Sequence, residues 1–413
     1  GLSGALKEGG RGARGAERGR KIRNGLIVGQ VAVSFMLLIG AGLMMRSFFK
    51  LQQVEPGFNP ERVLTMDVSL NWSKYDSEDE YRNLYRRMLE KVNAEPQVIS
   101  AAFSSTYPLN PMTIMNGPWN RSFRIESDPV DDKSLWPVAD FRAASPDYFQ
   151  TVGIALIEGR TFTEGDDERA PQVALINQSM ARHRWGEEEP VGKRVSFDRG
   201  ENWISIIGVV GDVKQYGLNT DSTDELYVPL SQSPGGGYLL ARTAMDPMSL
   251  AHSARIAIHE VDSEAAVTNV ETLEQVKSES LASPRLTTLL LGLFALVALT
   301  ITASGIAGVM ALSVSQRTHE LGIRMALGAS QSKVLGMIMR QGMLMVLLGL
   351  ALGVVGALLL TRVLSALLYA IEPTDPLTYI AVSLVLAGVA GLSCFVPARK
   401  VTSIDPMIAL RSE

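Results

Sequence analysis

The sequence predicts an α+β membrane protein: four transmembrane helices, with a large extracytoplasmic α+β domain between helices one and two. Three observations carry this expectation. Apolar residues gather into four stretches of about 20 residues or more, the length that crosses a bilayer core. Strand and helix periodicities fill the long interval after the first stretch. Lys and Arg concentrate at the ends that would share one side of the membrane.

Helix one is expected at about 25–49, preceded by a cytoplasmic segment, 1–24, that carries Arg11, Arg14, Arg18, Arg20, Lys21 and Arg23. Its apolar run is long, and Met44-Met-Arg-Ser-Phe-Phe49 follows it instead of a small-residue cleavage pattern, so it reads as a retained anchor. Helices two, three and four are expected at about 286–312, 334–361 and 377–397, with a cytoplasmic tail at 398–413. Arg317, Arg324 and Lys333 lie between helices two and three, and Arg399, Lys400 and Arg411 follow helix four. Positive-inside reasoning then puts both termini and residues 313–333 in the cytoplasm, and residues 50–285 outside. The middles of the spans hold no charges. Small residues recur at helical spacing instead, at Gly25/Gly29, Ser304/Gly308 and Gly349/Gly353, which permits close helix approach within one subunit or between subunits.

Within 50–285, Leu64, Met66 and Val68 alternate with polar residues as in a strand. Tyr81, Leu84, Tyr85, Met88, Leu89 and Val92 mark one face of an amphipathic helix, and Val98–Phe103 reads as a returning strand. A second unit follows as strand Tyr238–Thr243, helix Pro247–His259 and strand Ala265–Val270. Two β-α-β units bracketing the domain suggest a split α+β fold. The intervening region, about 108–229, is rich in Pro, Gly and Trp, with strands at Val173–Ile176, Ile204–Val210 and Leu226–Val228 and a short helix at Gln178–Trp185.

Charged residues between two spans cannot lie in lipid. In the stretch Ser315–Ala329, Arg317, Glu320, Leu321 and Arg324 fall at helical spacing, Glu320 and Arg324 form a favourable i,i+4 pair, and Gly328 is a stop signal. The pattern fits a basic topogenic loop and a short force-receiving helix equally well. Arg317-Thr-His-Glu-Leu-Gly-Ile-Arg-Met-Ala-Leu-Gly-Ala329 resembles the cytoplasmic coupling segment of the FtsX/MacB-like ABC transporter permease family. Val396-Pro-Ala-Arg-Lys400 with Ile404–Arg411 is similar to that family's tail, and Ser145-Pro-Asp-Tyr-Phe149, Gly159-Arg-Thr-Phe162 and Pro190-Val-Gly-Lys-Arg194 are similar to its extracytoplasmic domain.

The resemblance implies a MacB-like periplasmic core domain at 50–285, with porter-like parts at about 60–107 and 230–280 and an inserted subdomain at about 108–229, followed by an FtsX-like permease domain at 286–397. It implies a multi-pass protein of the bacterial cell (inner) membrane, a homodimer or duplicated-half pseudo-dimer, served by a separate cytoplasmic ABC ATPase and able to engage an envelope partner protein. Arg317, Glu320, Leu321, Arg324 and Met325 would form the ATPase-coupling segment. The expected function is export or mechanotransmission acting on an amphiphile such as an antibiotic, peptide or lipoprotein. The alternatives are a regulator that activates an envelope enzyme such as a cell-wall hydrolase, and an orphan permease without a dedicated ATPase. Leu2-Ser-Gly-Ala-Leu-Lys-Glu8 is similar to Met407-Ile-Ala-Leu-Arg-Ser-Glu413, and duplicated permeases of the family carry such a sequence between their halves. The chain is therefore expected to be the second half of a longer protein.

No chemistry-bearing constellation emerges, so no enzymatic activity, cofactor or metal is expected. The nearest approach to a phosphate loop, Gly186-Glu-Glu-Glu-Pro-Val-Gly-Lys-Arg194, is one residue too long, has Arg194 where a hydroxyl is needed, and carries three Glu that repel phosphate. It reads as a turn into a strand at Arg194–Phe197. His183, His252, His259 and His319 form no ligand spacing, Gly-x-Ser-x-Gly is absent, and Cys394 reads as a packing residue. Asp76–Glu80 and Asp166–Glu168 read as solvated loops or helix N-terminal charges. The net charge of −4 speaks neither for nor against a nucleic-acid partner, and none is expected.

Overall fold

The computed structural model describes residues 2–71, 73–75, 77–116, 119–128, 132–198, 200–233, 235–316, 330–364 and 368–402. The chain forms two compact units, one of Gly1–Gln53 with Ser283–Glu413 and one of Val54–Ala282.

The first unit is helical. It contains α1 (Leu2–Gln52), which begins well upstream of the apolar run. Four helices are long and apolar enough to cross a membrane, over Lys21–Gln52, Leu273–Ser315, Gln331–Arg362 and Pro376–Arg399. Ile27, Val31, Phe35, Ile39 and Leu43 of α1 are buried at i, i+4 spacing and form the spine of this unit's core. Close approach depends on absent side chains. A Cβ on Gly349 would lie 2.6 Å from the Val31 side chain, and one on Gly353 would lie 2.9 Å from Phe35. Gly25, Gly29 and Gly308 have nothing within 4 Å of the same position. One of the small-residue pairs is therefore spent on packing within the unit, while these three glycines face open space. Polar groups also join spans: Ser34 Oγ donates to the Ala298 carbonyl at 2.9 Å and lies 2.6 Å from Thr302 Oγ1. Near the end of α1, Arg46 pairs with Asp375, which also accepts from the Thr378 backbone N–H at 2.9 Å, while Lys50 Nζ donates to the Ala370 carbonyl at 2.6 Å.

The second unit is α+β. Its strands in chain order are β1 (Val63–Ser69), β2 (Val98–Ser104), β3 (Asn120–Ser122), β4 (Arg124–Ile125), β5 (Val138–Ala144), β6 (Leu156–Gly159), β7 (Val173–Asn177), β8 (Arg194–Ser196), β9 (Ile204–Val210), β10 (Glu225–Pro229), β11 (Tyr238–Thr243) and β12 (Ala266–Thr272). Its helices are α2 (Glu78–Asn93), α3 (Pro111–Asn116), α4 (Tyr148–Val152), α5 (Gln178–Trp185), α6 (Pro247–Val261) and α7 (Leu273–Ser280), which is followed in the chain by α8 (Ala282–Ser315). The helical unit continues with α9 (Gln331–Leu364) and α10 (Pro376–Thr402).

One half of the second unit has the order β12-β1-β11-β2, with every neighbouring pair antiparallel. This is the split β-α-β arrangement. Helix α2 starts at Ser77, whose side chain accepts the Glu80 N–H, and Glu78, Asp79 and Glu80 suit the positive end of the helix dipole. Its Tyr81, Leu84, Tyr85, Met88 and Val92 are buried against the sheet beside Leu250, Ala254 and Ile258 of α6. Each such large apolar side chain stabilises the fold by about 1.5–3 kcal/mol on full burial.

The other half holds β3–β10 and α3–α5. The sheet continues through β5-β10-β7-β9-β8-β4. The two halves meet where β2 pairs with β5 at Ser104↔Ala144, flanked by hydrogen bonds from the Ser105 N–H to the Ala143 carbonyl and from the Ser145 N–H to the Phe103 carbonyl, each 2.9 Å, and α4 packs against β2 and β11. The turn at 186–194 leads into β8 as the sequence suggests, but Asp166 departs from expectation. It is buried rather than solvated, because it organises the loop described below.

Candidate cleft and buried charge network of the outer domain

The proposed coupling residues Arg317, Glu320, Leu321, Arg324 and Met325 lie outside the described residues. The helix ends on either side are described. Val314 near the end of α8 and Val334 near the start of α9 are each 2% exposed, so both ends are anchored in the bundle core.

A cleft of about 470 Å³ lies between the two halves of the second unit. One wall is the polar face of α2. There Arg82 donates to Glu78 at 2.8 Å and to Asp79 at 2.5 Å, and Arg86 donates to Glu90 at 2.9 Å. The other wall is the loop from Thr163 to Arg169, which Asp166 shapes. Its carboxylate accepts two hydrogen bonds from Arg160, at 2.7 and 2.8 Å, and one from the Thr163 N–H at 2.8 Å. The Arg160 guanidinium, with Thr163, holds the Asp166 carboxyl below the usual carboxylate range. Upstream, Gly159 has φ +76°, and a Cβ there would lie 2.2 Å from the Ile207 carbonyl oxygen, so only glycine fits. Tyr85, Ser145 and Leu230 also line the cleft, and Ser145 Oγ accepts the Phe103 N–H at 3.0 Å. Both walls carry both signs of charge: Arg82 and Arg86 are paired on α2 and Asp166 with Arg160, while the loop also brings Glu164 and Asp167 to the cleft.

A buried network lies in the inserted half. Asp140 and Arg142 are two apart on β5 and share a face, and the parallel register sets Asp140 beside Glu225 and Arg142 beside Tyr227 of β10. Arg142 is 3% exposed and Glu225 0%. Arg142 Nη2 lies 3.3 Å from Asp140 Oδ2 and 3.6 Å from Glu225 Oε1. Tyr216 and Thr223 hydroxyls donate to Asp140 Oδ2 at 2.7 and 2.8 Å, and Tyr227 donates to Glu225. Burial pushes the Glu225 carboxyl up, against the pull of Arg142. The motif residues Tyr148, Phe149 and Phe162 pack beside this network, with Phe149 5.2 Å from Tyr227 and 5.8 Å from Phe162. These motifs are framework, not reactive groups.

Sequence reading missed the network. Two opposite charges at i, i+2 in the otherwise apolar run Val138–Ala144 were its only local signal. Among the described residues, no group of three His, Cys, Asp or Glu is placed to hold a metal.

A multi-span protein with an α+β domain threaded between its first and second long apolar helices defines a membrane permease class. Residues 25–278, more than half the chain, match the family model for the MacB-like periplasmic core domain, and residues 292–406 match the FtsX-like permease C-terminal model. The chain belongs to the MacB-like permease family, and is a membrane protein whose large domain is extracytoplasmic. A probable export ATP-binding/permease protein of Pseudomonas fluorescens is 27% identical over 286 residues, which are 66% of this chain and 43% of that protein. The pyoverdine export ATP-binding/permease protein PvdT of Pseudomonas syringae pv. syringae is 28% identical over 278 residues, 62% of this chain and 40% of that protein. The matched stretch thus spans about two-fifths of these relatives. The crystal structure of the periplasmic region of MacB from Actinobacillus actinomycetemcomitans aligns at 16% identity and TM-score 0.38, covering 56% of this chain and 97% of that one.

Proposed function

We propose that this chain is the permease part of an ABC-type export or mechanotransmission system. A separate cytoplasmic ATPase drives it, and the extracytoplasmic domain handles an amphiphilic substrate. The observation that carries the proposal is connectivity: the whole α+β unit is inserted between two long apolar helices, α1 and α8, and so is tethered at both ends to spans. The cleft between α2 and the 163–169 loop lies where the two halves of this unit face each other, so a shift of one half against the other would open or close it. The relatives' names, which join ATP binding to permease, support an ATPase partner. The sequence contains no phosphate loop, so ATP turnover falls to that partner. Two such permease units, as a homodimer or as duplicated halves, complete the assembly.

Affinity capture of the full-length protein in mild detergent, followed by identification of the bound chains, tests the partner. Recovery of a nucleotide-binding ABC subunit whose ATP hydrolysis responds to the permease supports the proposal. Recovery of a cell-wall hydrolase, with no ATPase-dependent substrate movement in vesicles, replaces it with the regulatory reading.

A further inference from the structure

A second cavity, of about 220 Å³, opens on the inserted half of the outer domain. Its floor is apolar: Val173, Ile204 and Val228 come from β7, β9 and β10, neighbours in the sheet, and all three are buried. One side is an aromatic corner. Phe141 and Phe197 meet edge-to-face with ring centroids 5.4 Å apart, and the centre of the Arg121 guanidinium lies 4.8 Å from both centroids. The β3–β5 pairing sets it there, because Arg121 stands opposite Ala139 and Phe141 is the next residue on that face. All three corner residues line the cavity and Arg121 is exposed, so the guanidinium is within reach of what enters. Among the described residues Arg121 makes no hydrogen bond and no ion pair. Ring contacts alone hold its guanidinium, and its five N–H donors are unspent. The polar groups around it are largely committed. Asp198, the other charge among the described lining residues, accepts from Ser196 Oγ at 2.7 Å, the Asn202 N–H at 2.9 Å and Asn202 Nδ2 at 2.6 Å. Gln232 donates to the Asp167 and Pro171 carbonyls at 3.0 and 3.1 Å and accepts the Val173 N–H at 3.1 Å.

From this we infer that the cavity is a binding subsite for a carboxylate borne on a ring-sized apolar body. The guanidinium selects the head group. It matches a carboxylate in two parallel N–H···O bonds, and stacking on Phe141 and Phe197 fixes the plane of its fork. A cation would face an arginine that nothing neutralises, and a neutral carbonyl would leave that charge unpaired. A phosphate dianion would bring a second negative charge toward Asp198, which a carboxylate does not. Val173, Ile204 and Val228 receive the apolar body. The volume holds one ring with its head group and leaves the rest of a larger amphiphile outside. This rests on the reading that the outer domain handles an amphiphile, and it names the end of that amphiphile held here.

The test uses the full chain in lipid nanodiscs at pH 7, with empty nanodiscs subtracted, and fluorine NMR of three matched probes: 4-fluorobenzoate, its methyl ester and 4-fluorophenyl phosphate. The expected result is saturable binding of the benzoate, about tenfold tighter than either the ester or the phosphate. Arg121→Met keeps an apolar stem against the rings and removes the donors. It should weaken benzoate binding about tenfold and leave ester binding unchanged. Ser233→Trp, which narrows the cavity, should weaken the benzoate about tenfold as well. Neither site is buried, so far-ultraviolet circular dichroism should stay that of the parent. Absence of saturable benzoate binding, equal or tighter binding of the ester or the phosphate, or full benzoate affinity in either variant overturns the subsite. Such a failure in a chain that still supports ATP-driven export leaves the permease reading intact. Selective benzoate binding without any coupled ATPase supports the subsite and removes the permease reading alone.

Discussion

Arg142 and Glu225 face each other across the parallel β5–β10 pair, 3.6 Å apart and almost completely removed from solvent. A buried ion pair adds little net stability over well-packed apolar residues, but removal of one partner strands the other. Arg142→Met therefore leaves Asp140 and Glu225 without their cation, and the expected loss is about 3–5 kcal/mol. The measurement is the denaturant midpoint of the outer domain in the full chain. Glu225→Gln keeps Arg142 paired with Asp140 and should cost distinctly less. Equal losses in the two variants would show that the pair is not the organising contact.

Acid should loosen the cleft wall through Asp166. The sign follows from its lowered folded value, caused first by the hydrogen bonds from Arg160. The stabilisation is fully present above the ordinary carboxylate value, about 4, and disappears as pH falls through the lower folded value. Little of it is lost between pH 7 and 5. Asp166→Asn should lower stability by about 1–2 kcal/mol at pH 7 and remove this part of the acid dependence. Unfolding midpoints of parent and variant from pH 7 to 3 decide the matter. Parallel curves would rule out Asp166 as the titrating group.

Glycines in the spans separate packing from open surface. Gly353→Leu drives its side chain into Phe35 and should destabilise the bundle by about 1–3 kcal/mol. Gly29→Ala and Gly308→Ala meet open space and should leave the thermal stability of the detergent-solubilised chain within about 0.5 kcal/mol. If the Gly29 and Gly308 variants stay stable yet lose self-association on cross-linking, those faces meet a second permease unit.

The coupling segment remains a proposal with its own experiment. Glu320→Lys and Arg324→Glu each place like charges at i,i+4 and reverse one charge at the expected docking surface. Both variants should insert normally and still uncouple ATP hydrolysis from substrate movement. Membrane insertion, ATPase co-purification and transport are to be measured together. Parent-like behaviour of both variants in all three assays would leave the segment as a topogenic loop only.

Orientation has an independent check. In a Cys394→Ala background, Cys introduced at Gln331 should resist an impermeant thiol reagent in intact spheroplasts and react after lysis. Ready labelling before lysis would invert the topology.

The sequence by itself determined the four apolar segments, because a bilayer demands long runs of apolar residues wherever the chain crosses it. It also determined the two β-α-β units, since Leu64, Met66 and Val68 must alternate, and Tyr81, Leu84, Tyr85 and Met88 must line one helix face, to bury a common core. Only the tertiary structure decided which glycines are packed. Gly349 and Gly29 look alike in the sequence, but a Cβ on the first would collide with Val31 and a Cβ on the second would meet nothing within 4 Å. Likewise Asp140, Arg142 and Glu225 are ordinary charges until β5 pairs with β10 and seals them from water. Asp166 reads as one charge in a solvated acidic run, and becomes a clamp when Arg160 and Thr163 fold around it. Local periodicity reports a residue's neighbours on its own element. The partners that confer burial, charge balance and a cavity arrive from elements distant in the chain, and their arrival is a property of the assembled core.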